Sequence, residues 1–308
     1  MSIHTLCFSG GGIQGISFIG SLLYLEKKNY FKLKNIKIFV GTSIGAILSF
    51  LLLINNNIID IYLFFINNLQ YIDIDCNIDN IFTNYGIDNG DLFYKILSCE
   101  LHKKFNKSDI TFIELYTLTN KELIIIGTNF TLCKEQLFSY KFTPNVSVLT
   151  AVRISFSLPL IFTPILLNNN YYIDGALVNN FPINYCNPHT TLGFKINELN
   201  NLHINSIQDI IVGSISIMIR SQYNKSKNNK IKYNYIKINI IDNDFCNFTI
   251  DKQKLNIFIN NGKKSAKQYL TNFYKNKINI LQNKISDNND KIIIKDVLNN
   301  IINKIINF

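Results

Sequence analysis

Apolar residues in this chain come in short blocks whose spacing changes from one block to the next. Ile3–Phe8 is a β-rich run that ends in a glycine cluster. Behind it, Phe18, Leu22 and Leu25 recur at helical spacing and predict an amphipathic helix to about Lys28. Ile36–Val40 reads as a strand and Ser43–Leu53 as a helix. Ile58–Leu69 and Asp91–Phe105 read as helices, the second with an acid in its first turn. Leu123–Thr128 is a buried strand, and Ser147–Phe156 a short helix closed by Leu158-Pro159. Tyr171–Ile173 is a short strand leading into Asp174-Gly175, and Thr191–Lys195 and Ile236–Ile241 complete a sheet. Asp251–Tyr274 is a final long helix. Strands alternating with helices predict an α/β fold with a mostly parallel sheet sandwiched by helices. The expected organisation is a core over 3–195, a stretch 196–276 that completes the same domain, and a tail 277–308. The tail is rich in Lys, Asn and Ile, and its Val297, Leu298, Ile301, Ile302, Ile305 and Ile306 predict a terminal helix.

One stretch mimics a membrane span. Ile36–Ile54 is apolar except for Lys37 and a central Gly41-Thr42-Ser43. A spanning helix has no use for that turn, so strand, sharp turn and buried helix is the expected arrangement. The first residues carry no basic n-region and no small-residue cleavage site. The expectation is an intracellular, cytosolic protein without a signal peptide.

Composition adjusts this picture more than it creates it. Hydrophobic residues make up 47%, which excludes wholesale disorder. The 55 Ile and 46 Asn are together about a third of the chain. Only Arg153 and Arg220 break the dominance of Lys among the basic residues. Such usage points to an AT-rich genome, as in a large DNA virus, a parasite or an AT-rich bacterium. It makes Asn a weak turn signal, and it makes the net charge of +10 only a weak pointer to nucleic acid or an anionic surface. No basic-plus-aromatic motif accompanies that charge, so nucleic acid is not an expected partner. An Arg where Lys prevails is informative, because an ammonium cannot reproduce the guanidinium fork. Arg153 is therefore expected to make a bidentate supporting contact. The six Cys show no C-x-x-C spacing and read as reduced thiols. No cofactor and no metal site is expected.

Two glycine-rich turns carry candidate chemistry. Gly10-Gly11-Gly12-Ile13-Gln14-Gly15 satisfies G-x-G-x-x-G between a strand and a helix. The acid that would bind a ribose is missing, since no Asp or Glu lies between Glu26 and Asp60. The glycines still leave backbone N–H groups free to converge on a phosphate or a developing oxyanion. Gly41-Thr42-Ser43-Ile44-Gly45 is G-x-S-x-G, also between strand and helix. That turn lifts a serine Oγ clear of a sheet edge. The serine needs a proton acceptor. His4 and His102 read as structural. His189 and His203 follow the serine in a hydrolase-like order but in loops without context. Asp174, followed by Gly175-Ala176 at the end of an apolar strand, projects a carboxylate from a tight turn.

Together these segments resemble the patatin-like phospholipases over residues 3–195. Gly10–Gly15 resembles the family's oxyanion loop, Gly41–Gly45 its nucleophile motif and Asp174-Gly175-Ala176 its D-G-A/G. Thr111–Leu115, Gly127-Thr128-Asn129, Ala151–Ser155 and Asn179–Pro182 also resemble its text. The resemblance implies a patatin-like sandwich and a Ser43–Asp174 dyad without histidine. It implies lipid acyl hydrolysis, with an oxyanion received by Gly11 and Gly12 N–H groups and by Gly10. The same dyad would serve an acyltransferase, and a lipid-binding member without catalysis is the other alternative. Gln14 departs from the family, which usually has Arg or Lys there. A lipid or phospholipid substrate implies transient peripheral contact with a membrane, anionic lipid being favoured, with Leu158–Phe162 either packed in the core or a candidate to line the acyl pocket or enter the lipid.

Overall fold

The computed structural model describes residues 2–68, 78–197, 210, 213–218, 231–241 and 251–282. Among these residues the main sheet has eight strands. Strands β1 (Thr5–Phe8), β2 (Ile38–Thr42), β4 (Glu122–Asn129), β9 (Thr191–Ile196) and β10 (Asn234–Ile238) run parallel in the order β10-β9-β1-β2-β4. The antiparallel members are β5 (Lys134–Phe138), β7 (Ile165–Leu167) and β8 (Asn170–Asp174). A separate two-stranded piece joins β3 (Gly86–Asp88) to β6 (Leu160–Phe162).

Register explains how the antiparallel strands enter. Ile125 and Ile126 pair with β2 and with β5, and Gly127 to Asn129 pair with β8 and with β5. A strand has two edges and β5 runs continuously along one of them, so β2 and β8 share the other. They meet there end to end: β2 finishes opposite Ile126 and β8 finishes opposite Gly127. The strand β4 is a common rail on which two strand ends abut.

Side-chain alternation sorts the sheet into two faces. Leu6, Phe8, Phe39 and Ile125 join the large core. Helices α1 (Ser17–Lys27) and α2 (Ile44–Asn55) contribute to it, and Phe8 stacks on Phe194 with ring centroids 5.0 Å apart. Cys7, Val40, Ile124, Ile126 and Cys186 form a smaller cluster, roofed by Val178, Phe181 and Ile183. Every residue of α2 is buried, as expected for a helix apolar all round. The stretch Ile36–Ile54 is thus a strand, a corner and a core helix. No helix among the described residues is long and apolar enough to cross a membrane.

Further helices are α3 (Ile58–Asn68), α4 (Ile78–Asn84), α5 (Asp91–Phe105), α6 (Phe112–Thr119), α7 (Val148–Ser155), α8 (Ala176–Asn179) and α9 (Lys252–Gln282). The start of α6 is fixed by a capping box between Thr111 and Glu114. Helix α9 crosses α1 at backbone contact distance. A Cβ on Gly262 would lie 1.8 Å from the Ser17 carbonyl oxygen, and one on Gly20 would lie 1.9 Å from that of Ile259. Beyond Gln282 the expected tail helix lies outside the described residues, as do His203 and Arg220.

Candidate active site

Ser43 occupies the corner between β2 and α2. Its backbone adopts φ 56° and ψ −126°, a region that L residues enter only under strain. What holds it there is visible. The Ser43 amide donates to Ser155 Oγ at 2.9 Å, and Ser155 Oγ donates in turn to the Ile126 carbonyl at 2.6 Å. The helix can start this abruptly because Gly45 passes directly over the end of β1. A Cβ there would sit 2.6 Å from the Phe8 carbonyl oxygen and 2.7 Å from that of Ser9.

Asp174 is the last residue of β8, and the abutting strand ends bring it to the serine. Ser43 Oγ donates to Asp174 Oδ2 at 2.9 Å. The other carboxylate oxygen, Oδ1, accepts from the Ala176 amide at 2.7 Å. The Asp174 backbone is clamped on both sides: its N–H donates to the Ser157 carbonyl at 2.8 Å, and its carbonyl accepts from Thr128 Oγ1 at 2.8 Å. The side chain is almost wholly buried, at 2% exposure. Burial pushes its carboxyl up to about 7, against the opposing effect of the hydrogen bonds from Ala176 and Ser43.

The glycine loop closes the third side. Gly10 lies beside the serine: a Cβ on it would come 3.3 Å from Ser43 Cβ and 2.4 Å from Asn180 Oδ1. The Gly10 N–H donates to the Asn180 carbonyl at 3.0 Å. That amide is engaged in holding the loop, which sets it apart from the other two proposed oxyanion donors. Gly11 is the N-cap and Gly12 the first residue of the 3₁₀ helix Gly12–Ile16, positions whose amides have no intrahelical acceptor. Gly12 has φ 52°, in the left-handed region. Ser9 Oγ ties the loop to the sheet by donating to the Gly10 carbonyl and accepting from the Ile196 amide.

The sequence from residue 6 to residue 186 matches the family described as patatin-like phospholipase. This chain belongs to that family. It is 37% identical over 185 residues to the protein named "Probable lipid hydrolase 463L" of Invertebrate iridescent virus 6, covering 58% of this chain and 61% of the viral one. It is 30% identical over 240 residues to uncharacterized protein R571 of Acanthamoeba polyphaga mimivirus, covering 72% and 77% of the two chains. Among solved structures, VipD from Legionella pneumophila superposes with a TM-score of 0.52 at 18% identity, covering 87% of this chain and 67% of VipD. That likeness concerns the fold.

In this patatin-like chain Arg153 is buried behind Ser157 and Asp174. Its Nε and Nη2 fork onto the Asn89 carbonyl at 3.1 and 2.9 Å. Nη2 also reaches the Thr163 carbonyl at 3.1 Å, and Nη1 donates to Ser157 Oγ at 2.5 Å. The guanidinium lies over the rings of Phe156 and Phe162. The expected bidentate contact is present, with a backbone carbonyl as its acceptor. Burial lowers the guanidinium to about 10, with Asp88 and Asp91 opposing, so it stays charged at neutral pH. Through Ser157 it braces the residue whose carbonyl holds the Asp174 amide.

The other candidates fall elsewhere. His189 precedes β9, and His4 precedes β1, both at the sheet end opposite Ser43. His102 lies on α5. Gln14 is 1% exposed, and its Oε1 faces the Ile241 amide at 3.5 Å, so the family's basic position here holds a buried neutral amide. Leu158–Phe162 is mostly packing: Ile161 and Phe162 are buried, and only Leu160 is exposed. Ser155, Ser157, Thr128 and Asn180 had no role assigned from sequence, although Ser155, Thr128 and Asn180 sit in segments that carry the family resemblance.

Proposed function

We propose that this protein is a lipid acyl hydrolase that works through a Ser43–Asp174 dyad. The single observation that carries the reading is the 2.9 Å hydrogen bond from Ser43 Oγ to Asp174 Oδ2 on a carboxyl raised to about 7. A carboxylate near 7 is a stronger base than one near 4 by about three decades, yet still ionised in good part at neutral pH. Asp174 takes the Ser43 proton as Oγ attacks the ester carbonyl. The carbonyl oxygen becomes an oxyanion, received by the Gly11 and Gly12 amides beside the α2 N-terminus. Collapse expels the alcohol, which leaves with the proton from Asp174. A water molecule then gives a proton to Asp174 and attacks the acyl-enzyme, and as the fatty acid departs Asp174 returns that proton to Ser43 Oγ. Membership of the patatin-like family and the lipid-hydrolase name of the viral relative support lipid esters as the substrate class. Such a substrate requires peripheral contact with a membrane, and the net charge of +10 favours anionic lipid.

The test is hydrolysis of a panel of phospholipids, lysophospholipids and neutral esters, in excess chelator, by wild type and Ser43→Ala. We expect fatty-acid release by wild type and a loss of at least about a thousandfold in the variant. Equal rates from both proteins would remove Ser43 from the chemistry. Acyl transfer to a lipid alcohol in place of release would make the protein a transacylase.

A further inference from the structure

The register that joins the dyad also builds a projecting tip at the same end of the sheet. Strand β8 lies wholly beyond the end of β2. Along it, Tyr171 is three residues from Asp174, about 10 Å at strand rise. Tyr171 pairs directly with Leu166 of β7, so the two side chains share a face. On the other side the Phe130 amide donates to the Tyr171 carbonyl at 2.8 Å, and the Tyr171 amide donates to Thr131 Oγ1 at 2.9 Å. The turn after β4 and the β7–β8 hairpin are therefore one hydrogen-bonded unit.

The side chains on this unit are large, apolar and open to solvent. Phe130 is 61% exposed, Leu132 53%, Leu166 58% and Tyr171 42%. Residues 130–134 and 164–172 contain no acid, and Lys134 is their one charge. Contiguous exposed apolar side chains mark an interaction or membrane site when they cluster. An apolar row without carboxylates, edged by a lysine, suits a zwitterionic or anionic headgroup layer. Its place near the dyad suits a substrate that must leave a bilayer to be cut.

We propose that the joined tips carrying Phe130, Leu132, Leu166 and Tyr171 are the surface by which this protein docks on a lipid bilayer. This rests on the proposed lipid hydrolase activity for its purpose but not for its test. The tips enter the interfacial zone and bring the corner at Ser43 to within about 10 Å of the headgroups.

The chain contains no Trp, so a single introduced indole reports on one place. In Leu132→Trp, vesicles of mixed phosphatidylserine and phosphatidylcholine should shift the emission to the blue, and brominated acyl chains should quench it. In Phe142→Trp, which follows β5 at the opposite end of the sheet and replaces a 64% exposed side chain, neither should occur. In the double variant Phe130→Ser/Leu166→Ser, vesicle affinity and hydrolysis of vesicle lipid should each fall about tenfold or more. Its hydrolysis of a soluble short-chain ester should stay within about twofold of wild type. Equal quenching at both indoles, or unchanged vesicle affinity in the double variant, would overturn the proposal. So would a wild-type dimer in sedimentation that the double variant abolishes, since the tips would then cover a second copy of the chain. If wild type hydrolyses no ester but the Leu132→Trp indole is still quenched, the docking surface stands and the hydrolase reading fails.

Discussion

Replacing Asp174 by Asn should abolish activity and at the same time stabilise the fold at alkaline pH. In an unfolded chain an aspartate titrates near 4, whereas burial raises Asp174 to about 7. Between those values the unfolded chain has given up the proton and the folded chain still holds it. The folded state thus binds more protons there, and stability falls as pH rises, by about 1.4 kcal/mol per pH unit. Above pH 7 both states are ionised, and the deficit settles at about 4 kcal/mol. The asparagine would keep the shape, can still accept from Ala176 through its amide oxygen, and has no charge to bury. The stability of the variant relative to wild type should therefore widen in its favour by about 3 kcal/mol between pH 5 and pH 8. Urea unfolding of both proteins at the two pH values measures this, with ester hydrolysis alongside. A difference that is the same at pH 5 and pH 8 would show that Asp174 is not a buried carboxyl raised by desolvation.

For a soluble ester, kcat/KM should rise with pH through about 7 and then level off, because the base must be ionised. A flat profile from pH 5 to 8 would point to a different proton acceptor. Arg153→Lys loses the fork on Asn89 and the link to Ser157, and should cost about 2–3 kcal/mol in urea unfolding and lower kcat more than KM. Unchanged stability would mean that a lysine can satisfy that pocket. Gly45→Ala drives a methyl against two backbone oxygens of β1 and its following residue and should cost about 2 kcal/mol or more. Its labelling by a serine-reactive phosphonate, set against wild type, shows whether the corner survives.

Much of the site was legible because its chemistry is local. Ser43 and its flanking glycines lie within five residues, and the strand and helix on either side have clear periods. Asp174 was marked by an apolar strand ending in Gly-Ala. What joins them was not legible. The meeting of β2 and β8 depends on both pairing with β4, and no local pattern reports a shared edge. For the same reason the sequence pattern predicts a mostly parallel sheet with the strand at Tyr171–Ile173, but neither β5 nor β7, nor the antiparallel direction of β8. Compositional bias makes asparagine look like a poor turn signal, yet Asn29, Asn56, Asn106, Asn120, Asn168 and Asn169 all have positive φ. In a chain with only 14 glycines, asparagine ends helices and turns hairpins, because its short amide tolerates the left-handed region. Within Leu158–Phe162, Phe162 packs against Phe93 and Phe156 while Leu160 is exposed, and the segment's composition could not distinguish packing from an exposed loop.

The end-to-end meeting of β2 and β8 on β4 has a consequence for how the protein is made. Ser43 and Asp174 are 131 residues apart in the chain, and only tertiary pairing unites them. A nascent chain on the ribosome carries the Gly41–Gly45 turn long before Ser155, which holds the Ser43 amide, and Asp174 have been synthesised. Contacts of such long sequence separation form late and slowly. On the proposed mechanism, acyl hydrolysis would therefore await the closing of the sheet, and unfinished copies would lack it.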